Sequence, residues 1–147
     1  MSNMTPKFET FNRRLLQITR EIQRLRIKHM KPYGLSGIHL GILIALNRNA
    51  ALTVKELMDV EIVDKAQISR ALKDLLNKNY VAPVPGQAGK YKIQYMLTDT
   101  GKSLAVELNE LTSQIVGRAD VGVNEEELEV MYKALDKIYA NLSKIDK

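Results

Sequence analysis

The sequence predicts a mostly α-helical protein that contains one small β-hairpin. Stretches near both ends repeat apolar residues at alternating steps of three and four, which is the spacing of one helix face. Residues 91–97 instead alternate apolar and polar side chains in steps of two, which is typical of a strand. The Pro/Gly-rich residues 85–89 predict a turn between this strand and an earlier one at residues 80–84, where Pro83 favours the edge of a sheet.

The composition is that of a globular protein. The 147 residues fit one domain, residues 1–147, and 45% of them are hydrophobic and 27% charged. Because the chain has no cysteine, disulfides and thiolate metal sites are excluded. No signal-peptide pattern is present, and the longest apolar run, residues 38–46, is too short to span a bilayer. We therefore expect a cytoplasmic protein that makes no membrane contact.

Catalysis is not expected from this sequence. Its two histidines, His29 and His39, lie ten residues apart and lack the neighbouring ligands that a zinc site needs. The chain also has no Gly-rich phosphate loop and no nucleophile elbow. We expect no enzyme activity, metal or cofactor, and we interpret His39, on a mostly apolar helix, as a half-buried structural residue.

Two helices in the middle of the chain begin at recognisable caps. Thr53 with Glu56 forms one capping box, and Asp64 with Gln67 offers a second start of the same kind. Residues 61–63 separate the two helices. The apolar residues of the second helix share one face: Ile68, Leu72, Leu75 and Leu76. Because the hairpin follows directly, this order predicts a winged helix-turn-helix lobe over residues 35–98.

The outward face of the second helix carries the residues that we predict to contact DNA. In a helix-turn-helix, residues near the start of this helix meet base edges in the major groove. Arg70 can bond two guanine acceptors and Gln67 two adenine edges, while lysines suit phosphates. A merely solvated helix face is the alternative, and the position between a capped helix and a hairpin favours DNA. The predicted DNA-binding set is Lys65, Ala66, Gln67, Ser69, Arg70 and Lys73 on the helix, with Lys90 and Lys92 on the hairpin.

The helices at residues 1–31 and 99–147 have the apolar seams of packed helices. One interpretation is that the seams form an intramolecular core. We favour a homodimer, because three such helices flank a small lobe that has a core of its own. The predicted dimerisation residues are Phe8, Phe11, Leu15, Ile18, Leu128, Met131, Leu135, Ile138 and Leu142.

The net charge of +5 is unevenly distributed along the chain. Residues 1–34 hold eight Lys/Arg and two Asp/Glu, whereas residues 98–147 hold six and ten. A basic excess of this size favours a polyanionic partner only mildly. The first helix either flanks DNA phosphates or pairs with the acidic C-terminal helices.

Five short motifs in this order resemble the MarR (multiple-antibiotic-resistance regulator) family of bacterial winged-helix transcription factors. They are Leu35-Ser36, Thr53–Leu57, Ile68-Ser69-Arg70, Leu75–Val81 and Leu97–Lys102. The resemblance implies a homodimer that binds double-stranded DNA at a palindromic operator, commonly as a repressor. It also implies release from DNA by a small phenolic or aromatic effector.

The wing departs from the pattern of this family. Family members usually carry Asp-x-Arg there, whereas this chain has Gly89-Lys90-Tyr91. We therefore expect a weaker or differently arranged wing contact through Lys90 and Lys92. The departure leaves two alternatives open: a winged-helix dimer that binds protein or RNA without an operator, and a purely structural helical dimer.

Overall fold

The computed structural model describes residues 4–87 and 92–147, with side chains from residue 7 onward. These ranges contain six α-helices, a 3₁₀ turn at Lys31–Tyr33 and three short strands, so the predicted mostly helical fold is confirmed. None of the helices in the described ranges has the length and hydropathy that a bilayer crossing requires. The helices are α1 (Met4–Met30), α2 (Gly37–Arg48), α3 (Val54–Glu61), α4 (Lys65–Asn77), α5 (Asp99–Val116) and α6 (Glu125–Leu142), and the strands are β1 (Leu52–Thr53), β2 (Val81–Pro83) and β3 (Gln94–Leu97).

The chain divides into two compact units, Met1–Asn109 and Glu110–Lys147. The core of the first unit forms around α2, which is apolar on nearly every side. Its Ile42 and Leu43 are fully buried, as are Leu57 of α3 and Leu75 of α4. Helix α2 therefore lies in the core of this unit.

The sheet has a third strand that the sequence did not predict. Its order is β1-β3-β2, with both pairings antiparallel, so the hairpin strand β3 is central. Leu52 of β1 pairs with Tyr95, and Pro83 of β2 pairs with the same residue from the other side. A strand of two residues has no periodicity to detect, and its partner lies far later in the chain. Strand β2 is at the edge, as Pro83 predicted.

The helix-turn-helix starts are confirmed. The Thr53 hydroxyl accepts the Glu56 amide at 3.2 Å, and the Asp64 carboxylate accepts the Gln67 amide at 2.8 Å. Between the helices, Ile62 ends α3 in the left-handed conformation, with φ of 54°. That conformation is unfavourable for a β-branched residue, so this tight turn stores backbone strain.

The hairpin is attached to α5 through Thr98. Its backbone amide donates to the Tyr80 carbonyl at 3.1 Å, and its hydroxyl donates to the Asn79 carbonyl at 2.7 Å. The same hydroxyl accepts the Gly101 amide at 3.0 Å. Gly101 lies so close to the Tyr80 carbonyl that a side chain would overlap it. This junction gives a physical reason for Thr and Gly in the Leu97–Lys102 motif.

In the second unit, α6 begins at a cap and leaves its surface uncovered. The Asn124 side chain accepts the Glu127 amide at 2.8 Å, and three glutamates, Glu125–Glu127, occupy the first turn, where the helix dipole favours negative charge. None of the residues of α6 is buried. An amphipathic helix in this state needs a partner surface to cover its apolar side.

Candidate nucleic-acid interface

The recognition-helix candidate α4 has one buried face and one exposed face. Ile68, Ala71, Leu72 and Leu75 fix the helix to the lobe. The opposite face presents Lys65, Ala66, Ser69, Arg70 and Lys73, all of them exposed. Five of the six helix residues that we predicted to contact DNA therefore lie together on one accessible surface.

Gln67 differs from the other predicted contacts. It is half-buried, and its side-chain oxygen accepts the Asp64 backbone amide at 3.3 Å, which completes the capping box. Bidentate recognition of adenine needs this oxygen as well as the side-chain nitrogen. Reading adenine in that way would therefore require this oxygen either to accept a second hydrogen bond or to leave the helix cap.

The wing is held in shape by a pair of glutamines. The Gln94 amide donates to the Gln87 side-chain oxygen at 2.7 Å, and the two side chains are joined again at 3.2 Å. The Val84 amide donates to the Gln94 carbonyl at 2.9 Å. Lys92 is exposed just before β3, whereas Lys90 lies outside the described residues.

An open pocket of about 440 Å³ lies between α3, the start of α4 and the wing. Three lysines from these three elements, Lys55, Lys65 and Lys92, line it. Three lysines at one opening favour an anion such as a backbone phosphate. Lys55 was not among the predicted contacts, since only the packing of α3 against the wing brings it to this surface. The remaining lining residues are Thr53, Val54, Met58, Ile93 and Tyr95.

At the other end of α4, Asp74 contacts His39 of α2. The His39 Nε2 atom lies 3.1 Å from the Asp74 Oδ2 atom. Its Nδ1 atom accepts the Ser36 backbone amide at 2.9 Å and closes a capping box at the start of α2. His39 is thus a structural residue, as expected, but it is buried rather than half-buried, with an exposed fraction of 8%.

The predicted dimerisation residues lie on α1 and α6. On α1, Phe8 and Phe11 are in ring contact at 5.9 Å, and Phe8, Leu15 and Ile18 are exposed. On α6, Met131 and Leu142 are exposed, and Leu128, Leu135 and Ile138 are half-buried. Each helix therefore keeps an apolar seam accessible in the isolated chain.

Residues 33–90, which include this helix-turn-helix, match the MarR family. The chain is similar to transcription regulators of this type. It is 24% identical over 107 residues to the HTH-type transcriptional regulator SarZ of Staphylococcus epidermidis, an alignment that covers 73% of this chain and 72% of SarZ. The relatives that it matches are transcription regulators and not enzymes.

Solved MarR-type structures have the same fold. One is a mutant of Escherichia coli MarR in complex with operator DNA, at a TM-score of 0.76 and 20% identity, covering 93% of this chain and 99% of that one. Another is a MarR protein from Peptoclostridium difficile, at a TM-score of 0.78 and 20% identity, covering 90% of this chain and 86% of that one. The resemblance predicted this fold correctly.

Proposed function

We propose that this chain is a transcription regulator of the MarR type that binds double-stranded DNA at an inverted-repeat operator as a homodimer and represses transcription from that site. The observation that carries the proposal is the exposed face of α4, which presents Ser69, Arg70 and Lys73 opposite the side that packs into the lobe. A rigid helix with a polar, basic outer face has the shape and chemistry that enter a major groove. The operator complex of the structurally similar Escherichia coli MarR supports the same use of the fold.

Arg70 is the residue that we assign to base recognition. Among the residues that the structure describes, it forms no ion pair, so its guanidinium is available for two guanine acceptors. Lys65 and Lys73 flank it and suit phosphates, as do the pocket lysines Lys55 and Lys92. In this division of roles, many phosphate contacts supply the affinity and a few base contacts supply the specificity.

The uncovered apolar seams of α1 and α6 support the homodimer. An isolated chain would leave Phe8 and Ile18 of α1 and Leu142 of α6 about half exposed to water, at 49%, 58% and 47%. Burying such side chains is favourable by about 1.5–3 kcal/mol each when burial is complete. Two copies related by a twofold axis would also set two α4 helices to meet successive major grooves, about 10 base pairs apart.

The proposal has two further parts. A repressor of this kind acts where the chromosome is, so we place the protein in the cytoplasm. Release by a small phenolic or aromatic effector stays a prediction from the family resemblance. Such a molecule must bind more tightly to a spacing of the two recognition helices that does not fit DNA.

DNA binding is tested by fluorescence anisotropy with duplexes from the upstream region of the gene and with a random duplex. We expect Arg70→Ala to weaken binding to the upstream duplex by about 1–3 kcal/mol and to reduce discrimination between the duplexes. Arg20→Ala, which removes the same charge from the exposed surface of α1, is the matched control and should keep the discrimination. If the wild type binds no duplex at low salt, the proposal is wrong and a protein or RNA partner is favoured.

Dimerisation is tested by light scattering across a range of protein concentrations. We expect Ile18→Glu to produce a monomer, because it places a charge in the seam of α1. The neighbouring Gln17→Glu introduces the same charge away from the seam and should leave the dimer intact. A wild-type monomer at micromolar concentration would contradict this part of the proposal.

A further inference from the structure

Asp74 is an acidic residue on a surface that should attract DNA. It is the single carboxylate of α4, residues Lys65–Asn77, and it follows Arg70 by four residues. Side chains four apart on a helix are neighbours, and Arg and Asp at this spacing can form an ion pair. The Asp74 carboxylate could therefore pair with the guanidinium of Arg70, which we assign to guanine recognition. It would also repel DNA phosphates.

The structure shows that Asp74 is directed to another partner. Its Oδ2 atom lies 3.1 Å from the Nε2 atom of His39, and Arg70 is paired with none of the described carboxylates. The side chain of His39 is 10% exposed and that of Asp74 is 56% exposed. The imidazole thus reaches from the buried side of the lobe to the edge of the α4 surface.

The start of α2 fixes the orientation of this imidazole. The Ser36 backbone amide, which can only donate, lies 2.9 Å from His39 Nδ1, so that nitrogen is the acceptor. The hydrogen of the neutral ring is then on Nε2 and is donated to Asp74. One ring therefore connects the cap of α2 with the acidic residue of the recognition helix.

We propose that His39 is a positioning residue for operator recognition, which holds the Asp74 carboxylate away from Arg70 and so keeps the guanidinium free for DNA. The inference rests on the proposed function, because it explains how α4 carries an acid without losing its basic contact. It couples His39 and Asp74, which are 35 positions apart, and we assign neither residue to the DNA contact itself.

Two substitutions separate the two hydrogen bonds of His39. In His39→Asn the side-chain oxygen replaces Nδ1, so the Ser36 contact is kept and the Asp74 contact is lost. In His39→Gln the side-chain nitrogen replaces Nε2, so the Asp74 contact is kept and the Ser36 contact is lost. If His39 only stabilised the fold, the DNA affinities of the two variants would not depend on whether the Asp74 contact is kept or lost.

The experiment measures the affinity of each variant for the upstream duplex by fluorescence anisotropy at fixed salt, and its stability by urea unfolding. We expect His39→Asn to bind the duplex about two- to fivefold more weakly, because DNA binding must then break an exposed ion pair between Arg70 and Asp74. We expect His39→Gln to remain near the wild type. Asp74→Asn should raise affinity more in the His39→Asn background than in the wild type, because it removes both the repulsion of phosphates and a carboxylate that pairs with Arg70 only when His39 is absent.

The outcomes separate this inference from the proposed function. If the wild-type protein binds no duplex, both the proposed function and the role of His39 are wrong. A wild type that binds, together with an unchanged His39→Asn variant or an equal effect of Asp74→Asn in both backgrounds, overturns the role of His39 alone. Imidazole nitrogen NMR on the wild-type protein tests the geometry even if a variant does not fold. A hydrogen on Nε2 supports it, and a hydrogen on Nδ1 overturns it.

Discussion

Gly101, in the first turn of α5, lies against the backbone of Tyr80, and replacing it with Ala tests how the hairpin is attached. A methyl group at this position would lie 2.8 Å from the Tyr80 carbonyl carbon and still nearer to its oxygen. That oxygen accepts the Thr98 amide at 3.1 Å, so the carbonyl cannot turn away without breaking a hydrogen bond. The obstacle is therefore backbone, which cannot be moved by a rotamer change.

The magnitude follows from three contributions. Overpacking a buried position costs about 1–3 kcal/mol, and weakening the Thr98 hydrogen bond adds about 0.5–1.5 kcal/mol. The higher helix propensity of Ala offsets up to about 1 kcal/mol of this. Together these give an expected loss of about 0.5–4.5 kcal/mol in the free energy of unfolding of Gly101→Ala, centred on about 2.5 kcal/mol.

Gly41, in the middle of α2, is a matched control. A methyl group there would overlap the carboxyl group of Glu61, which is the far end of a flexible side chain. That carboxyl group can move into solvent, so the overlap is relieved at little cost. The gain in helix propensity then remains, and we expect Gly41→Ala to be neutral or to stabilise the protein by up to about 1 kcal/mol.

Both variants are compared with the wild type by urea unfolding, followed by circular dichroism at one protein concentration because a dimer makes stability concentration-dependent. The opposite signs are the test. The reasoning would be refuted by a Gly101→Ala protein as stable as the wild type. It would equally be refuted if Gly41→Ala lost as much stability as Gly101→Ala.

Two further predictions concern the end of α3. Ile62 is 90% exposed at φ of 54°, so Ile62→Gly should raise the free energy of unfolding by about 0.5–1 kcal/mol, as relief of left-handed strain exceeds the entropy cost of Gly. Asn79→Gly, at φ of 62°, is the control in urea unfolding and should change stability less, because Asn tolerates this conformation. Burial raises the pKa of the Glu61 carboxyl, and the Arg26 charge lowers it in part. Since the folded state then holds the proton more tightly, this group contributes stability below its unfolded pKa of 4.5 that is lost as pH rises through the folded pKa. Glu61→Gln should flatten that part of the curve of melting temperature against pH, and an unchanged slope would contradict the assignment.

Local signals made much of the fold predictable. The caps at Thr53 and Asp64 act on amides three residues later, and the apolar face of α4 repeats within a few turns. Such patterns lie within one segment and do not depend on its neighbours. They placed the helix-turn-helix and, with it, the exposed face that carries Arg70.

The same signals could not describe contacts between segments. Packing brings β1 into the sheet and places Lys55 and Lys92 at the same pocket. The structure also shows that the Gln67 side chain accepts a hydrogen bond from the Asp64 amide.

The sequence by itself determined that α3 and α4 are helices, where these two helices begin and which side of α4 faces water, because capping and periodicity are set by residues within a turn or two. Only the tertiary structure decided that His39 is hydrogen-bonded to Asp74 and that Gly101 lies against the Tyr80 carbonyl. Those pairs meet because burial of the common core brings distant segments together, and no local pattern records which side chains will then be neighbours.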